Sequence, residues 1–193
     1  MVDESTARGC KYGVMFFYYL YRSPLAVGEG YVPDAESVEW VAELMEFLRV
    51  QYCESFDPPE MANRLAALYD NKEPRSTLLL LLGRLENIYW RDYVGEPCHG
   101  DCGAQGCLVF VLAEWVCQAW NNAEYLELAH ALAHDWGRAP SDELAPQYLE
   151  RLQDAAPFEL WCTVAMLATY LCEELASASD LSPNELVRDL LAR

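Results

Sequence analysis

Fourteen consecutive residues in mid-chain, Cys107 to Trp120, carry one charge, Glu114, and one further polar group, Gln118. A helix that is apolar all round has no face for water, so other elements must enclose it. The stretch is shorter than the roughly 18 apolar residues that a membrane-crossing helix needs. A second stretch, Leu160 to Cys172, carries no charge. It falls under the same limit and reads as another buried core helix.

The remaining segments supply amphipathic helices to surround such a core. Asp34 is placed as an N-cap with Glu36 in the first turn, which suits the positive end of a helix. Val38, Val41, Met45, Leu48, Tyr52 and Phe56 then follow at spacings of three and four, the period of one helix face. Trp40, Leu44 and Phe47 widen that stripe, and Glu39, Glu43 and Glu46 populate the other side. Asp57-Pro58-Pro59-Glu60 ends this helix and opens the next, with Met61, Leu65 and Leu68 as its apolar face. Pro74 is expected to start a helix through Leu78 to Leu82 and on to about Tyr93, before a loop from Gly95 to Gly106.

Asn121 to Trp136 reads as an amphipathic helix with Tyr125, Leu128 and Leu132 on one side, broken by Gly137 to Pro140. Pro146 to Gln153 and Phe158 to Ala176 read as helices. Ser182-Pro183-Asn184-Glu185 has the form of a capping box, with Leu181 and Leu186 placed as a hydrophobic staple. The aromatic-rich segment Lys11 to Arg22 suits a strand by propensity, but Tyr12, Met15, Tyr19 and Arg22 fall at helical spacing. The expectation is an all-α fold. One domain over residues 1–193 would form a bundle of about eight helices around the apolar mid-chain helix.

Thirteen Lys and Arg stand against 31 Asp and Glu, a net charge of −18. A phosphate backbone repels such a surface, and no basic run offsets it, so nucleic acid is not an expected ligand. An acidic face that mimics DNA is one alternative; a solvated surface that aids solubility is the plainer reading. The N-terminal residues include Asp3 and Glu4 and lack a basic-then-apolar leader pattern. Of the eight cysteines, Cys117, Cys162 and Cys172 lie in apolar helical stretches, where a free thiol behaves as a small hydrophobe. A cytoplasmic protein with mostly reduced cysteines follows as the expectation.

Residues 98–107 read C-H-G-D-C-G-A-Q-G-C. Cys98, Cys102 and Cys107, with His130 from a later helix, could complete a tetrahedral zinc set. Their spacing matches no common zinc finger. Loop thiols without a role, or one disulfide among them, are the plainer account of the cluster. His130, His134 and Asp135 form the one constellation suited to a metal-dependent hydrolase, and no phosphate-binding or nucleophile motif occurs. The expectation is a binding protein without a cofactor rather than an enzyme.

The order of elements resembles the Bcl family of apoptosis regulators, its compact viral members in particular. Val41 to Phe56, V-A-E-L-M-E-F-L-R-V-Q-Y-C-E-S-F, looks like that family's second helix. Glu86 to Val94 looks like the segment before its first signature motif, and Cys107 to Cys117 like its central helix. The death-motif core fits Leu65 to Asp70 better than it fits Val41 to Phe56. Gly103-Ala104-Gln105-Gly106 stands where the family carries Asn-Trp-Gly-Arg, and the later Trp136-Gly137-Arg138 precedes no central helix.

The resemblance implies an apolar groove that takes an amphipathic helix from a pro-death protein. Leu44, Leu48, Tyr52, Phe56 and Tyr89 would line it, although each reads first as plain core, because buried and groove-lining stripes look alike in sequence. The arginine that pairs with a ligand aspartate is missing, so affinity would rest on apolar burial. Self-association as a homodimer through the same surface is the other outcome. A zinc-stabilised helical adaptor or immune-evasion protein that binds some other partner is the alternative function.

Overall fold

A computed structural model describes residues 30–53, 58–89, 116, 121–138 and 144–192. They form seven helices, and no strand occurs among them. These are α1 (Ala35–Cys53), α2 (Pro58–Asp70), α3 (Lys72–Tyr89), α4 (Ala123–Arg138), α5 (Leu144–Ala155), α6 (Pro157–Ser177) and α7 (Pro183–Ala192). The protein is therefore all-α, as the periodicity requires.

Helix α6 is the hub of the described bundle. It packs against α1, α2, α3, α5 and α7. Burial runs almost without interruption from Glu159 to Thr169 and resumes at Leu171, Cys172, Leu175 and Ala176. Its two threonines avoid the cost of burying a bare hydroxyl by bonding back along the helix. Thr163 donates to the Glu159 carbonyl at 2.9 Å and Thr169 to the Ala165 carbonyl at 2.9 Å. The other apolar stretch, Cys107 to Trp120, lies outside the described residues apart from Val116, which is helical and fully buried. The segment Lys11 to Arg22 also lies outside them.

The five leucines Leu78 to Leu82 are all buried, with Leu85 after them. A helix covered on every side needs neighbours on every side, and α3 meets α1, α2, α6 and α7. Each buried leucine contributes about 2 kcal/mol of transfer free energy, so this run and α6 carry much of the hydrophobic stabilisation.

Side chains cap α1, α3, α4 and α7, whereas Ala156 at the start of α6 makes no side-chain cap bond, and three expected bounds are corrected. The Ser37 amide donates to Asp34 Oδ1 at 2.7 Å, and this bond draws the Asp34 carboxyl below its ordinary range. Ser182 and Glu185 form a reciprocal box: Ser182 N–H reaches Glu185 Oε2 at 2.9 Å and Glu185 N–H reaches Ser182 Oγ at 3.3 Å. Helix α3 starts before Pro74, capped by Asn71, whose Oδ1 accepts from the Glu73 amide at 3.3 Å. Likewise α5 starts at Leu144, before Pro146. Proline is tolerated in both places because first-turn amides have no intrahelical acceptor. At the start of α4, Asn121 adopts φ 54° and Asn122 Oδ1 accepts from the Tyr125 amide at 3.2 Å. That helix runs through Gly137 to Arg138 rather than stopping before it.

Candidate functional site

The two helices that begin the described bundle, α1 and α2, both lean on α3 or α6 but make few direct contacts with each other. Between them lies an open cleft of about 190 Å³. Trp40, Glu43 and Leu44 line it from α1, and Glu60, Asn63, Arg64 and Ala67 from α2. Both sets follow helical spacing, so each is one face of its helix. The cleft is narrow because Leu65 and Leu68 pull α2 onto the core. It stays open because the residues that α2 turns toward α1 include the small, exposed Ala67 and Asn63.

Leu44, 1% exposed, forms the floor, and half-buried Trp40 and Phe47 continue the apolar stripe along α1. Arg64 lies across one end. Its guanidinium carbon sits 4.3 Å from the centroid of the Phe47 ring, and its Nε donates to Glu60 Oε1 at 3.0 Å. The cation is thus held between an aromatic face and a carboxylate, each partly open to solvent. Glu43 is exposed and makes no hydrogen bond or ion pair among the described residues. Among the described residues, the cleft therefore combines an apolar floor, one engaged cation and one carboxylate without a partner.

On the opposite side α1 meets α6 and α7, and the packing closes. A void of only about 10 Å³ remains among Met45, Glu46, Arg49, Thr169, Cys172, Glu173 and Val187. Arg49 clasps Glu46 at 2.6 and 3.0 Å, which holds the Glu46 carboxyl below its ordinary range. Burial pushes the Glu173 carboxyl upward; Arg49 opposes that shift, and Glu46 and Glu174 reinforce it. Burial raises the thiol of Cys172 to about 12, with Glu173 adding to the effect. Cys162 is raised further by burial and by Glu159. Both are free thiols in protonated form, packed as hydrophobes and poor nucleophiles.

A third polar cluster joins α4 to α6. Asn122 Nδ2 donates to Glu159 Oε1 at 2.6 Å, and the Tyr125 hydroxyl shares a hydrogen bond with Thr163. These groups satisfy one another in a buried seam and open onto no described cavity, so their role is to fix α4 on the hub.

The structure separates the residues expected to line a groove. Leu44 reaches the cleft, whereas Leu48 is fully buried in the core. Tyr52 and Tyr89 belong to α1 and α3, but their side chains lie outside the described residues, as does all of Phe56. Glu43, Glu60, Asn63, Arg64 and Ala67 were not singled out by periodicity as cleft residues. Their signal is weak because exposed polar residues on a helix look alike until a second helix stands opposite.

The metal candidates Cys98, Cys102 and Cys107 lie outside the described residues, and His130 is an exposed residue of α4. Among the described residues, no three His, Cys, Asp or Glu side chains are grouped to hold a metal ion. No described helix is long and apolar enough to cross a membrane. No protein-family model matches the chain, and no curated protein or solved structure matches it.

Proposed function

We propose that the protein is a binding module that captures an amphipathic helix of another protein in the cleft between α1 and α2. The observation that carries this reading is the size and lining of the cleft. At about 190 Å³ it is below the roughly 300–1,000 Å³ of small-molecule sites. It has room for one or two apolar side chains of a helix laid along it. Trp40 and Leu44, four residues apart on one helix face, offer the apolar contact that helix-in-groove recognition requires.

In the form that the resemblance to the apoptosis regulators gives this reading, the captured helix comes from a pro-death protein and its capture restrains cell death. The setting is the cytoplasm, where buried free thiols such as Cys162 and Cys172 stay reduced. Titration with a panel of labelled pro-death helical peptides tests it. Saturable binding with Kd near or below about 10 µM, about 7 kcal/mol, is expected for at least one member. No binding across the panel at about 100 µM overturns the apoptotic form.

A further inference from the structure

We infer that the helix taken by the α1–α2 cleft is basic: an apolar stripe flanked by Lys or Arg, with one cation seated on Glu43. This rests on the helix-capture reading above and specifies the chemistry of its partner. Three observations carry it. Glu43 lines the cleft beside Trp40 and Leu44, is exposed, and makes no ion pair or hydrogen bond among the described residues. The one cation among the described residues that line the cleft, Arg64, is already occupied by Glu60 and the Phe47 ring. An acidic ligand would therefore meet Glu43 with no free cation beside it among the described residues. Finally, the chain carries a net charge of −18, a field that speeds the approach of cationic helices and repels acidic ones.

The same charge argues against a second copy of this chain as the occupant, since two such surfaces repel. It also reverses the polarity that the family resemblance implies, in which a ligand aspartate meets an arginine. Exposed Ala67 and Asn63 on the α2 wall leave room for the partner's backbone to approach closely. The half-buried Trp40 ring offers a second face to a neighbouring cation.

The test uses the full chain and three labelled peptides of about 20 residues, long enough for roughly five helical turns. They share one apolar stripe and carry Lys, Gln or Glu at the flanking positions. Fluorescence anisotropy in about 0.15 M salt is expected to rank them Lys, then Gln, then Glu. Glu43→Gln should weaken the Lys peptide about threefold, the scale of one exposed ion pair, and leave the Gln peptide unchanged. Ala67→Trp, which fills the cleft, should weaken all three. A Glu peptide that binds as tightly as the Lys peptide overturns the inference. A Lys advantage that survives Glu43→Gln in full overturns the assignment of Glu43. If the Gln peptide binds and Lys confers no advantage, the inference falls and helix capture stands; if none binds, both fall.

Discussion

Helix α1 has two flanks that were finished differently. Toward α6 and α7 it is sealed. Met45 packs beside Thr169, whose hydroxyl lies 3.5 Å from the methionine sulfur, and Val187 fills the space from α7. The Arg188 guanidinium forks onto the two oxygens of Glu39 at 2.9 and 2.8 Å, and Arg84 reaches the Leu190 carbonyl at the end of α7. Toward α2 the same helix is left open, with Trp40 only partly buried and Glu43 without a partner among the described residues. Both flanks bear Glu and Arg at helical spacing. What separates them is the size of the residues opposite: a branched apolar side chain on α7, and alanine and asparagine on α2. A closed flank serves stability, and an open one is available to a partner.

The sharpest way to break this comparison is to damage the face that both flanks share. Leu48 is fully buried, and Leu48→Ala removes contacts that nothing else replaces. A loss of about 3 kcal/mol in urea denaturation is expected. A loss under about 1 kcal/mol would mean that Leu48 sits in a yielding surface rather than in the core.

A smaller effect sharpens the account of the sealed flank. Burial raises the Glu173 carboxyl above its ordinary value of 4.5. Its ionised form is therefore disfavoured in the folded protein, and stability is lost as pH rises through the raised value. Glu173→Gln removes that loss. The variant should be more stable than the parent at pH 7 by about 0.5 kcal/mol, since the site is partly solvated. The gap should close as pH falls to the ordinary glutamate range. A constant gap across that range would show that packing, not charge, sets it. Glu39, Glu46 and Glu185 act in the opposite sense. Their support is present above the ordinary value and fades as pH falls through their lowered ones.

Much of the framework was legible because it depends on local chemistry. The stripe Val41, Met45 and Leu48 predicted the buried face of α1, and the uncharged run Leu160 to Cys172 predicted the enclosed α6. Asp34 and Ser182 predicted their own helix starts, since a cap needs only residues within one turn. Proline was less informative. Pro74 and Pro146 sit inside the first turns of α3 and α5, and Asn71, an inconspicuous residue, is the cap that sets the start of α3. The cleft was not legible in the same way. Leu44 and Leu48 belong to one stripe and both are buried, yet only Leu44 borders the cleft, because the placement of α2 beside α1 decides it. Arg64 over Phe47 joins two helices, and no spacing within either helix encodes that meeting.

The central claim is that the open flank of α1 is where this protein meets its partner. Backbone amide shifts in the full chain, followed by NMR as the Lys-flanked peptide is added, test it most directly. The account predicts changes concentrated in Trp40 to Phe47 and Glu60 to Ala67, with α6 and α7 little affected. Binding that instead perturbs the α6–α7 junction and leaves the cleft amides unmoved would contradict it.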